Sequence, residues 1–152
     1  MVGDIVEIET PNGLGYAQYV LKHSEPPQYG ELIRVLPGLF ASRPDSFADL
    51  AREEARFTTF FPLGAACARG IVQIVAAEEV PEHARTLPLM RAAGARLPDG
   101  TVNGWWLWDG EREWRVGELT AEQWKLPLRA VWNDTLLIER IARGWSQEGA
   151  VW

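Results

Sequence analysis

The sequence predicts a single α+β domain, mostly antiparallel β, with a partly SH3-like barrel in its N-terminal meander and two or three short helices. Three observations predict it. Short runs alternate polar and apolar residues and are separated by tight-turn signals, the pattern of half-buried strands. One segment, Asp134 to Arg143, carries a clear helical stripe of apolar side chains. The 152 residues, 47% hydrophobic and 24% charged, have the composition of one ordinary globular domain. That domain spans residues 1–152, with the tryptophan-rich part from 104 to 152 as a candidate subdomain.

Asp4-Ile5-Val6-Glu7-Ile8-Glu9 alternates apart from Val6 and predicts the first strand. Pro11-Asn12-Gly13 follows, and Asn-Gly is the strongest short hairpin signal because both residues tolerate positive φ. Tyr16 to Leu21 is the return strand, and Ser24 to Tyr29, with Pro26-Pro27, reads as a loop. Glu31 to Leu36 is a third strand, stopped by Pro37-Gly38. Ser46 caps an expected helix over about 46–55, with Phe47, Leu50 and Ala51 on one face. Arg56 to Leu63 returns to strand character, limited by Pro62. Ile71 to Val75 is expected to be a central strand. Ala76 to Asn103, broken by three prolines and two glycines, reads as an irregular connection with at most one helical turn near Glu82–Arg85.

All 8 tryptophans fall in the last third. Gly104 to Trp108, Asp109-Gly110 and Glu111 to Val116 predict a hairpin with an Asp-Gly turn. Thr120-Ala121-Glu122-Gln123 is a capping box that opens a short helix ended by Pro127. The helix over 134–143 is capped by Asn133 or Asp134. Arg140 and Arg143 suit its C-terminal dipole, and Gly144 suits the C′ position.

Charge and motifs exclude more than they identify. The chain carries 15 Lys and Arg against 21 Asp and Glu, a net charge of −6. That disfavours nucleic acid, whose phosphates call for concentrated positive charge, and suits a basic partner. One cysteine, Cys67, forms no intrachain disulfide and reads as a small packed residue beside Ala65, Ala66 and Ala68. Neither a signal peptide nor a membrane-spanning stretch is visible, so a cytoplasmic location is expected. His23 and His83 read as loop residues with no Cys or His at zinc-ligand spacing, so no metal or other cofactor is expected. Gly13-Leu14-Gly15 lacks the third glycine and the strand-to-helix setting of a phosphate loop. Asn133-Asp134-Thr135 reads as a helix cap rather than a glycosylation acceptor. The acid pairs Glu53-Glu54, Glu78-Glu79 and Glu111/Glu113 read as solvated edges, and no catalytic residues are expected.

Trp106 and Trp108 share one face of their strand, and Trp105 and Leu107 share the other. Either that strand is central and covered twice, or one face is a binding surface. Trp105, Trp106, Asp109, Glu111 and Glu113 are therefore the candidate partner-binding residues. Burial of Trp106 and Trp108 would reduce the set to the hairpin acids.

Gly3-Asp4-Ile5-Val6-Glu7-Ile8, followed by Pro11-Asn12-Gly13-Leu14-Gly15-Tyr16-Ala17-Gln18-Tyr19-Val20-Leu21, resembles the opening of the Imm26 group of bacterial immunity proteins. Phe61-Pro62 and Val80-Pro81-Glu82 are similar to later features of that group. The resemblance covers roughly the first 40 residues. It implies a cytoplasmic antitoxin of a polymorphic toxin system, a protein that binds and neutralises a cognate toxin and has no catalytic residues of its own. The competing expectation is a small SH3- or Tudor-like module for a ligand or nucleic acid. That reading calls for an exposed aromatic cage or a basic stripe, whereas Arg34, Arg52, Arg69, Arg91, Arg115 and Arg140 are scattered.

Overall fold

In the computed structural model, which describes residues 1–152, the alternating segments near the N-terminus pair as the turn chemistry dictates. Strand β1 (Asp4–Thr10) runs antiparallel to β2 (Gly13–His23), with Thr10 opposite Gly13 at the turn. The Thr10 hydroxyl donates to the Gly13 carbonyl at 2.7 Å and accepts from the Asn12 amide at 3.2 Å. β3 (Gly30–Val35) adds to β2, and β4 (Phe57–Phe60) adds to β3. β5 (Gln73–Ala77) adds to the far side of β1, giving the order β4-β3-β2-β1-β5. The sheet is open, with β4 and β5 at its edges, so the expected partial barrel is corrected to an open sheet. The strand expected to be central is the edge strand β5, and Ile74 on it is 51% exposed. Val72, just before it, is spent on the core beside α1 (Leu63–Ala68), a short helix that the expected strand over 56–63 did not foresee.

Both faces of β1 are covered, which explains why Val6 broke the alternation. Val6 and Ile8 face α2 (Asp134–Ala142), where Leu137 and Ile141 are buried. Gly15 lets this helix approach β2, since a Cβ there would meet Ile141 Cγ2 at 2.5 Å. Ile5 faces the opposite way, onto Tyr16, Leu36, Phe47 and Ala51. Glu7 is buried on that face because Tyr16 donates to it at 2.9 Å and Arg43 at 2.8 Å and 3.1 Å. α2 begins where Asn133 accepts from the Leu136 amide at 2.8 Å. It ends in a Schellman motif: Trp145 N–H bonds Arg140 C=O, Gly144 N–H bonds Ile141 C=O, and Gly144 has φ 66°.

The second sheet has the order β6 (Met90–Ala93), β7 (Trp105–Trp108), β8 (Glu113–Gly117). β6 lies inside the stretch expected to be irregular, whose one expected helical turn does form, as a 3₁₀ turn at Glu82–Ala84. The capping box also forms, with Thr120 and Gln123 bonding each other's amides at 2.9 Å and 3.2 Å ahead of a 3₁₀ turn at Gln123–Lys125. Residues 127–132 join the two sheets. At one end they bond β6, through Arg91 N–H to Pro127 C=O and Arg129 N–H to Arg91 C=O. At the other they bond β4, through Phe60 N–H to Ala130 C=O and Trp132 N–H to Phe60 C=O. No helix is long and apolar enough to cross a membrane.

Two fully buried arginines shape the loops around these sheets. Arg34 donates to the Gln18 side chain at 2.9 Å, to the Glu53 carbonyl at 2.9 Å and to the Ala51 carbonyl. The Ala51 carbonyl is the one that the Ala55 amide would use to continue a helix. The helix expected over 46–55 is accordingly cut to a 3₁₀ turn at Leu50–Arg52. Arg91 donates to the carbonyls of Leu126 at 2.9 Å, Gln147 at 2.6 Å and Ala150, so it ties the C-terminal tail to β6. Replacing Arg91 with Met should remove about 3 kcal/mol of stability in urea unfolding, because three part-buried acceptors lose a charged donor. Limited tryptic proteolysis should then cut after Arg143, ahead of the released tail, faster than in the native chain.

Burial, together with the hydrogen bond to Glu7, pushes the Tyr16 phenol up to about 12. The native state thus holds this proton more tightly than the unfolded chain, whose phenol titrates near 10.0. The resulting stability is complete below pH 10.0 and is lost as pH rises towards about 12. Glu7 has the opposite sign: its hydrogen bond from Arg43 lowers its pKa, so its contribution is full above 4.5 and fades as pH falls below that. In an absorbance titration, one of the three tyrosines should ionise near 12, and Tyr16→Phe should remove that step together with the alkaline loss of stability.

Candidate functional site

β7 sits between β6 and β8, so the tryptophan strand is the centre of its sheet. Trp105, Leu107 and Trp108 are buried and Trp106 is half-buried. Trp105 meets Trp124 edge-on at 5.2 Å, and the Arg91 guanidinium lies 5.1 Å from one ring and 5.3 Å from the other. Trp105, expected as a contact residue, is therefore corrected to an interior residue. The reason is that the Gln123–Lys125 turn and the C-terminal tail cover its face of the sheet. Trp108 is closed in on the other side by His23 at 5.1 Å, Tyr29 at 5.2 Å and Phe60 at 6.2 Å. His23, expected in a loop, is the last residue of β2, and its Nε2 is buried without a partner. These four rings fill the space between one another, as an open cage for a cation would not.

The hairpin acids are all exposed, yet they do different things. The Asp109 carboxylate accepts the amides of Glu111 at 2.9 Å and Arg112 at 2.7 Å, so it builds the turn. The Arg112 amide, then that of Glu111, holds its pKa below the ordinary aspartate value. Glu113 pairs with Arg129 at 2.7 Å, and Arg129 in turn lies 5.6 Å from the Trp108 ring. Glu111 forms no ion pair. Register places Trp106 opposite Arg115 and Trp114 opposite Leu107. Trp114, 40% exposed on the edge strand β8, is the indole that sequence reasoning missed. A signal was present: an aromatic flanked by Glu113 and Arg115 in the second arm of a hairpin is an edge residue with charged neighbours.

Elsewhere the titratable groups are dispersed. His83 and Glu54, both exposed, share the rim of a cleft of about 170 Å³ that Arg34, Thr58, Thr86 and Gln147 also line. Pockets for small molecules run from roughly 300 Å³ upwards. No three His, Cys, Asp or Glu side chains gather where they could hold a metal ion. Burial, with the nearby Asp4 charge adding to it, pushes the Cys67 thiol up and away from the reactive thiolate. Arg140 lies in the last turn of α2, as its fit to the helix dipole led one to expect, and is buried between Trp132 at 4.5 Å and Trp145 at 4.4 Å.

The Asp109 turn predicts a pH effect. Its depressed pKa means the turn is stabilised above the ordinary value of 3.8 and weakened as pH falls through the lower native value. The amide proton shifts of Glu111 and Arg112 should move with one midpoint below 3.8, and Asp109→Ala should abolish that transition.

Compared with protein-family models, with curated proteins and with solved structures, the chain matches none of them.

Proposed function

We propose that this chain is a non-catalytic binding protein that neutralises a cognate toxin domain of basic surface, as the resemblance of its first 40 residues implies. It would act in the cytoplasm of the cell that makes the toxin. The observation that carries the reading is the make-up of the β8 edge. There Trp114 stands exposed on a segment that carries the exposed Glu111, Glu113 and Glu118 together with Arg112 and Arg115, on a strand whose outer backbone groups have no partner strand. An exposed indole brings large contact area at little entropic cost, and carboxylates around it favour a basic partner and speed its approach.

The distribution of charge supports this. Arg34, Arg91 and Arg140 are buried and pair with no acid, so three of the 15 cations are withdrawn from the surface. The exterior is accordingly more acidic than the formal −6. Of the residues expected to make contact, Glu111, Glu113 and Asp109 stay in the proposed surface, Trp106 borders it, and Trp114 takes the place of Trp105.

Co-expression with the product of the adjacent reading frame tests the proposal. That product should be toxic alone, rescued by this chain, and recovered with it as a complex that weakens as salt rises. Trp114→Ala and Glu111→Lys should together weaken the complex by about 100-fold, the scale of losing one interface hot spot and one charge. Both sites are exposed, so the melting temperature should hold. A harmless neighbour that does not bind would overturn the proposal, and so would a complex indifferent to both substitutions.

A further inference from the structure

Arg140 is the most unusual polar group in the molecule. It is 8% exposed, and its Nε and Nη1 have no hydrogen-bond acceptor. The indoles of Trp132 and Trp145 flank it but offer π faces, not oxygen. No carboxylate reaches it: the neighbouring Glu139 pairs with Arg143 at 3.7 Å, and Arg143 itself adds a like charge. A buried cation with unused donors is costly, and such a group is normally met by an anion or an oxygen.

Arg140 also lines a groove of about 450 Å³ between β6 and the start of α2. Ala92, Ala93, Val131, Leu136, Val151 and Trp152 supply its apolar walls. Val131 is 51% exposed and Trp152 48%, so this apolar surface faces water. The groove holds two further arginines and no acidic side chain. Arg91 spends its guanidinium on three carbonyls, and the charge of Arg129 is paired with Glu113 through Nη1. One guanidinium therefore remains to meet one negative charge. The volume lies within the roughly 300–1,000 Å³ of small-molecule sites, whose walls are mostly apolar with a few polar anchors.

We propose that this groove binds an amphipathic monocarboxylate, a medium-chain fatty acid or a similar aryl-alkanoate. The carboxylate accepts from Arg140, and the apolar body lies along Val131, Leu136 and Trp152. No covalent step is involved. The site is separate from the proposed toxin contact, which uses the β8 edge, so either can fail alone.

Decanoate is a suitable probe. Titrated into the full chain and followed by calorimetry and indole fluorescence, it should bind one-to-one. Decanol and decyltrimethylammonium should bind at least about tenfold more weakly, the loss of one charge-assisted contact. Arg140→Met should erase the preference for decanoate over decanol. Val131→Glu, at an exposed wall position, should weaken decanoate about tenfold by like-charge repulsion while the chain stays folded. Leu39→Ser lies on a smaller cavity at the other side of Arg140 and should change nothing. The proposal is overturned if decanoate does not bind, if decanol binds as well, if Arg140→Met keeps the preference, or if Leu39→Ser weakens binding and Val131→Glu does not.

Discussion

Guanidinium groups held inside the protein without a carboxylate organise most of what surrounds them. Moving an ion of this size out of water costs several kcal/mol even after the protein relaxes, so each must recover that cost locally. Arg34 and Arg91 do so with backbone carbonyls that lie outside the regular helices and strands. Loop carbonyls thereby become anchors. Arg34 holds residues 51–53 against β2 and β3, and Arg91 holds residues 126, 147 and 150 against β6. Burial lowers the pKa of both, that of Arg91 to about 10, which leaves each a cation at neutral pH.

The same groups explain how two sheets become one body. Residues 127–132 bond β4 at one end and β6 at the other, and neither contact is extensive. Arg91 sits in β6 beside this segment and fastens its start, through Leu126, to the C-terminal tail. The Gln147 side chain then reaches back to the Thr58 amide of β4 at 3.0 Å. The junction is thus closed by side chains of the tail as well as by strand pairing.

Legibility in the sequence follows the range of the interactions. The β1–β2 turn, the Asn133 cap, the Gly144 terminus and the Thr120–Gln123 capping box were readable because each is set by residues within five positions of one another. The segment 46–55 was read as helix from local caps and spacing, yet its carbonyls are claimed by Arg34, distant in sequence. β6 carries no alternation, since Met-Arg-Ala-Ala buries its arginine, and a buried arginine in a strand looks like a loop residue. At the candidate site, the acids of the hairpin were legible and the burial of Trp105 was not. The tail that covers it lies some 40 residues further on and is fastened by Arg91.

The concentration of tryptophan in the last third can now be divided by use. Trp105 and Trp124 flank Arg91, Trp132 and Trp145 flank Arg140, Trp108 lies beneath Arg129, and Trp152 beneath Arg96. A guanidinium gains from an indole face most when water is excluded, so the rings beside Arg91 and Arg140 let cations sit where no carboxylate reaches. Six of the 8 tryptophans lie against an arginine in this way, and one of them, Trp152, is half exposed and also lines the apolar groove. Trp106 and Trp114 alone face no arginine in this manner, and both belong to the β7–β8 hairpin. Arg140 differs from the other stacked arginines in having buried donors without an acceptor, which is why the aromatic content of the chain points to two separate surfaces and not to one.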